Sequence, residues 1–351
     1  MSTIAVNAIT DASGGTTATI NGYTPTVSNM AGRNRIINGA MMFDQRNAGA
    51  SVTVNSSAGS TFYGVDRFFA QGQSADGVFT VQRSTTAPTG FVNSLLATVT
   101  TADSSLGATQ VYQIVQPIEG YNVADLGWGT ANAATVTLSF WGRSSVTGTF
   151  GGSLFNATAA RSYPFTYTIN SANTFEQKTI TISGDTTGTW GTGNGVGIHV
   201  IFSLGCGSTL SGTSGSWAGA QYNSATGATN LLATNGATFY ITGVQLEKGS
   251  TATSFDYRPY GTELMLCQRY YQAGKMYYGG YVAAAVGLAT YSTLPVPMRA
   301  SPTITNSGQT NVGCSGSAVA AVDFATLQLT ATGSSGPGFA SGSNYTASAE
   351  L

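Results

Sequence analysis

The feature that most constrains this chain is an alternation of apolar and hydroxyl side chains at period two. In Thr135–Trp141 (TVTLSFW), Val136, Leu138 and Phe140 fall on one face of an extended strand, and Thr135, Thr137 and Ser139 on the other. Further strand segments are Val78–Arg83, Gln110–Val115, Pro164–Ile169, Glu176–Ile182, Gly197–Phe202 and Thr238–Leu246, separated by Gly, Ser, Thr and Asn turns. One apolar face and one Thr/Ser face is the pattern of antiparallel sheets wetted on one side. Seven or more such strands predict an all-β fold, an antiparallel β-sandwich of the jelly-roll kind.

Composition supports folding and narrows function. Gly, Ser and Thr supply 134 of the 351 residues, and charged residues only 8%, against roughly 25% in an ordinary soluble domain. A hydrophobic fraction of 42% at a net charge of −1 excludes disorder of the whole chain. Thirteen scattered basic residues leave no electrostatic footprint for nucleic acid. The longest nearly apolar run, Val282–Leu288, falls far short of the roughly 20 residues that span a bilayer, so no membrane insertion is expected. The N-terminus shows neither a basic nor an apolar signal-peptide region. Three distant cysteines (Cys206, Cys267, Cys314) predict no disulfide framework and no zinc-type pair, as for a chain made in a reducing cytoplasm.

Three segments differ in character. Residues 1–35 are polar and turn-rich with isolated Ile4, Val6, Ile9 and Ile20, and cannot bury a core alone. They are either a flexible arm or a segment packed on another chain. Residues 36–260 carry the sandwich. Residues 261–351 open with a helical stripe, Leu264, Cys267 and Tyr271, with Thr262 as N-cap, Glu263 in the first turn and an end near Gly274; a small β domain follows.

Catalytic chemistry is scarce. The single His199 shares a strand face with Ile201, has no GxSxG elbow to serve, and reads as a half-exposed strand histidine. Gly191–Gly197 lacks the third glycine of a dinucleotide loop and the lysine of a P-loop, and reads as a turn. Glu119, Asp125, Glu176, Glu247 and Asp256 leave paired carboxylates as the one feasible enzymatic route. Local pairings with basic neighbours (Glu247 with Lys248, Glu176 with Lys178, Asp256 with Arg258, Asp66 with Arg67) explain them as salt-bridge or turn residues. No enzyme, metal or cofactor is expected. Trp128, Trp190 and Trp217 each sit in a Gly-flanked loop. Such indoles either stack on sugars, with neutral Asn, Gln, Ser and Thr to bind the hydroxyls, or plug the sandwich ends or an interface. Trp141 continues a strand and reads as core or interface.

Taken together, Ala31–Gly39 (AGRNRIING), Asp44–Gly49 (DQRNAG), Tyr63–Phe68 (YGVDRF), Thr137–Arg143 (TLSFWGR), Phe239–Gly249 (FYITGVQLEKG), Phe255–Leu264 (FDYRPYGTEL) and Cys267–Tyr271 (CQRYY) resemble the receptor-binding or carbohydrate-binding-like module of bacteriophage tail fibre proteins. The arm segment Ile9–Gly15 and the final Ser348–Leu351 resemble tail fibre ends. The resemblance implies a virion appendage, a homotrimer, whose jelly roll recognises bacterial surface polysaccharide. Residues 1–35 would then attach it to other virion proteins. A purely structural virion protein, such as a capsid fibre, decoration or tail adaptor, is the alternative.

Overall fold

A computed structural model describes residues 32–55, 60–73, 76–280, 286–334 and 339–351. The strands of the larger unit are β1 (Val52–Val54), β2 (Phe62–Val65), β3 (Phe68–Gly72), β4 (Val78–Ser84), β5 (Ser94–Thr101), β6 (Val111–Glu119), β7 (Val136–Ser144), β8 (Gly148–Asn156), β9 (Ser162–Ile169), β10 (Glu176–Ile182), β11 (Val196–Cys206), the short β12 (Ser211–Gly212) and β13 (Ser224–Ala225), and β14 (Thr238–Lys248). Two six-stranded antiparallel sheets result, ordered β1-β4-β5-β14-β7-β10 and β2-β3-β6-β11-β8-β9. The chain passes from sheet to sheet as it advances, so the expected all-β sandwich is the fold adopted. No helix among the described residues is long and apolar enough to cross a membrane.

The alternation read from sequence decides which side chains enter the space between the sheets. Val136, Leu138 and Phe140 of β7 are fully buried there. Phe140 meets Phe202 of β11 and Tyr167 of β9 edge-on, each at 5.0 Å between ring centres. Burying one such aromatic ring contributes about 1.5–3 kcal/mol, and the core holds many. Trp141 points the other way. It lies half-buried on the outer face of the first sheet, which removes the inter-sheet core from its two readings.

A bulge between Thr242 and Gln245 interrupts the pairing of β14 with β7. Gly243 sits there at φ 61°, a conformation that glycine adopts freely. The Val244 N–H donates to the Gly39 carbonyl, and the Arg35 N–H to Leu246. A β-carbon at Gly39 would collide with the Val244 carbonyl oxygen, so only glycine permits this approach. Residues 33–35 are thus bonded to the sandwich and its flanking loop. Residues 1–31, the remainder of the expected arm, lie outside the described residues.

The helix α1 (Tyr260–Gln268) starts two residues before the expected cap. Pro259 occupies the N-cap position without a side-chain bond, and Thr262 lies within the helix. Glu263 instead accepts the Asn38 N–H. The helix also ends sooner, because Tyr271–Gly280 is a strand, β15, which contains Gly274 and Tyr271. Then follow β16 (Gly287–Thr293), β17 (Thr303–Val312), β18 (Cys314–Ala321), β19 (Thr326–Gly333) and β20 (Phe339–Ser348). They form two three-stranded sheets, β15-β20-β17 and β16-β19-β18, around a small core that includes Met276, Leu327 and Leu329.

Candidate functional site

The β4–β5 loop, the segment after β14 and the start of α1 meet around an open cleft of about 160 Å³. Five aromatic residues line it, Phe43 among them. Phe91 leaves a turn closed by its N–H on the Pro88 carbonyl, with Gly90 at φ 93°. Phe255 and Tyr257 project from the segment after β14, and Tyr260 from the first turn of α1. Ring centres of Phe91 and Phe255 lie 5.1 Å apart, Phe255 and Tyr257 4.7 Å, and Tyr260 and Phe43 4.7 Å. These contacts hold the rings at defined angles, yet Tyr257 is 55% and Tyr260 64% exposed.

The floor is polar but already satisfied. Arg258 pairs with Glu263 at 3.0 Å and donates to the carbonyls of Ile36 and Asn34. Asn38 donates to the carbonyls of Phe43 and Asp66 and accepts the Phe43 N–H. The floor therefore fixes the rings, and the rings are what a ligand meets. The site escaped the sequence reading because its parts come from residues near 40, 90 and 260. One signal was present: three aromatics and a proline within Phe255–Tyr260.

The structure does bring Trp128, Trp190 and Trp217 together, at one end of the sandwich. The three indoles pack edge to face, with centres 4.7, 5.3 and 5.4 Å apart, and Tyr163 adds a fourth ring at 5.2 Å from Trp217. Each ring N–H is spent on a backbone carbonyl: Trp128 on Ala134, Trp190 on Thr187 and Trp217 on Ser183. Trp128 is 7% exposed, and the other two are half-buried. Arg161 and Asp185, in a two-pronged ion pair at 2.7 Å, brace the same end. This geometry matches an end plug more closely than an open stacking platform.

The carboxylates are dispersed into separate structural roles. Glu176 pairs with Lys178 at 2.6 Å, as expected. The other local pairings do not form. Lys248 turns to Asp125, which also binds Arg35 at 2.8 Å, while Glu247 accepts from Gln245 and Thr253. Asp256 accepts the backbone N–H groups of Arg33 and Asn34, and Arg258 takes Glu263. Asp66 receives Gln45 and Arg46, and Arg67 reaches Glu350. Glu247 and Lys248, and Asp66 and Arg67, are adjacent, and adjacent residues in extended or tightly turned backbone point apart. Burial pushes the Glu119 carboxyl up, but bonds from Arg269 and Tyr270, both at 2.6 Å, outweigh it and hold it below the ordinary range. Among the described residues no three His, Cys, Asp or Glu side chains converge to hold a metal ion.

His199 lies half-buried on the outer face of the second sheet, its ring 4.8 Å from Phe155. Its Nδ1 is buried without a hydrogen-bond partner. Burial brings its pKa from 6.5 down to about 4. The unfolded chain, with the ordinary value, therefore binds more protons between those pH values. Stability is complete above about pH 6.5 and declines as pH falls toward 4, by at most about 3 kcal/mol. Urea unfolding at pH 7 and pH 4.5 should show this loss, and His199→Phe should reduce it. An unchanged pH dependence in that variant would assign the loss to other groups.

No family model matches the chain, and no curated protein does. Solved structures share a distant likeness. The enzymatically active domain of tailspike protein 4 from bacteriophage CBA120 is 12% identical, at a TM-score of 0.32, over 62% of this chain and 21% of its own. The family 11 carbohydrate-binding module of a Clostridium thermocellum cellulase is 11% identical, at a TM-score of 0.28, over 59% of this chain and 99% of its own. The N-terminal cellulose-binding domain of Cellulomonas fimi β-1,4-glucanase C is 12% identical, at a TM-score of 0.23, over 60% and 95%. The match thus spans about a fifth of the tailspike chain. Likenesses at these scores assign neither a family nor a ligand.

Proposed function

We propose that this chain is a non-catalytic bacteriophage tail fibre protein, a homotrimer carried on the virion, that recognises a bacterial surface polysaccharide through the aromatic cleft. The observation that carries the reading is the pair of exposed rings, Tyr257 and Tyr260, set beside Phe91 and Phe255 in a cleft whose charged lining residues, Arg258 and Glu263, pair with each other. Sugars present apolar C–H faces and a rim of hydroxyls, which suit flat aromatic rings bordered by neutral polar groups. The tail fibre resemblance supports the same site, since Asn34, Asn38 and Gly39 from one of its segments and Phe255, Tyr257 and Tyr260 from another line the cleft. Three copies on one particle would strengthen weak single-site binding by about 10²–10⁴-fold.

A glycan array with the purified full chain, followed by calorimetry on the glycan it captures, tests the reading. Tyr257→Ala with Tyr260→Ala should weaken binding at least about tenfold, roughly 1.4 kcal/mol. Sedimentation should give the mass of three chains, and the bound polysaccharide should gain no reducing ends. Capture of no glycan would favour the other reading, a purely structural virion protein. The observation on its side is that the cleft is mainly apolar with its floor satisfied, as suits a segment of a neighbouring virion chain.

A further inference from the structure

The outer face of the first sheet carries a second feature, centred on Arg143 of β7. Its cross-strand partner on β14 is Tyr240. The guanidinium carbon lies 4.8 Å from the centre of the Tyr240 ring and 5.7 Å from that of Phe175, which directly precedes β10. The two rings stand 6.0 Å apart at 70°. Arg143 makes no ion pair and no hydrogen bond among the described residues, and its Nε is buried without a partner. The Nε atoms of Arg33, Arg35 and Arg67 are likewise buried without a partner, but every other guanidinium is engaged elsewhere. Six form ion pairs, and Arg33, Arg83 and Arg299 donate to backbone carbonyls. The acid on the neighbouring strand, Glu176, is opposite Gly142 rather than Arg143 and is spent on Lys178 and the N–H groups of Asn170 and Ser171.

A guanidinium held by ring stacking and committed to no ion pair or hydrogen bond keeps its planar fork of N–H donors for an incoming oxyanion. The position relative to the cleft names the partner's class. Trp141, two residues along β7 and so on the same face, lies about 7 Å from Arg143. A β-carbon at Gly243 would stand 2.6 Å from Phe91 and 3.0 Å from Trp141, so those two rings close over the same glycine. Aromatic surface thus runs from Arg143 through Trp141 to Phe91 and the cleft.

We infer that Arg143, stacked on Tyr240 and Phe175, is an oxyanion subsite beside the cleft, and that the polysaccharide bound there is acidic, bearing carboxylate or phosphate groups. The inference rests on the glycan reading of the cleft and adds the charge of the ligand to it. Calorimetry on the full chain with trigalacturonate, glucose 6-phosphate and uncharged galactotriose tests it. At least one anionic probe should bind, the better one telling a carboxylate from a phosphate ester. Arg143→Gln should weaken that binding about 10–100-fold, Arg143→Lys should restore only part of it, and neither should alter any affinity for galactotriose. The subsite is overturned if neither anionic probe binds, or if Arg143→Gln leaves the anionic affinity unchanged. Binding of galactotriose that is lost in Tyr257→Ala would in that case leave the cleft reading intact.

Discussion

Glu350→Ala is expected to destabilise the protein by about 3–5 kcal/mol, far more than removal of an exposed acid. The reason lies in the joint between the sandwich and the smaller β unit. Arg67 follows Asp66 in the two-residue turn between β2 and β3 and is 1% exposed. Its guanidinium lies 3.6 Å from the centre of the Tyr270 ring, donates to the Pro117 carbonyl at 2.7 Å, and pairs with Glu350. The same carboxylate takes Arg46 at 2.9 Å, and Arg46 stacks on Tyr63 and Tyr271. Deleting the Glu350 carboxylate would leave the Arg67 charge buried without its counter-ion, which is the costly way to break a buried pair. Asp125→Ala provides the contrast, because Asp125 and Lys248 are each half exposed and Arg35 is partly so. That variant should lose no more than about 1 kcal/mol. Urea unfolding of both reads the difference. A loss below about 1 kcal/mol for Glu350→Ala would mean that the joint does not depend on this acid.

Trp128→Ala should cost a similar 3–5 kcal/mol while leaving glycan affinity of the folded protein unchanged. Its ring is the most enclosed of the three indoles, and its N–H bond to Ala134 holds the loop that leads into β7. Truncation removes two ring–ring contacts and opens a cavity that Trp190 and Trp217, each tied by its own N–H bond, are poorly placed to fill. Thermal melts and calorimetry on the same sample separate the two effects. A variant as stable as the parent but deficient in binding would return Trp128 to the role of ligand platform.

The sandwich could be read from sequence because burial on one face writes itself into every second residue. Val136, Leu138 and Phe140 are an example, and the seven segments named from alternation all lie on observed strands. What sequence conveyed poorly was anything set by pairing at long range. Arg67 and Glu350 are 283 residues apart, while Asp66, next to Arg67, points elsewhere. The start of α1 was misplaced because Thr262 is a good cap in isolation. Pro259 and the Glu263 bonds to Arg258 and Asn38 fix the start earlier. The cleft is assembled by the β14 bulge, which lets residues 34–39 lie alongside the segment bearing Phe255 and Tyr257. A bulge leaves no periodic signature beyond a single glycine. The three loop tryptophans stood out by composition, yet it is the tyrosines near the helix that stay open to solvent.

Hydrogen–deuterium exchange with and without the captured polysaccharide tests most directly where the chain holds its ligand. Binding in the aromatic cleft predicts slowed exchange in Thr85–Asn93 and Phe255–Glu263, and unchanged exchange around Trp190 and Trp217. Protection confined to Gly188–Gly191 and Gly215–Ala218, with the cleft segments unaltered, would contradict it.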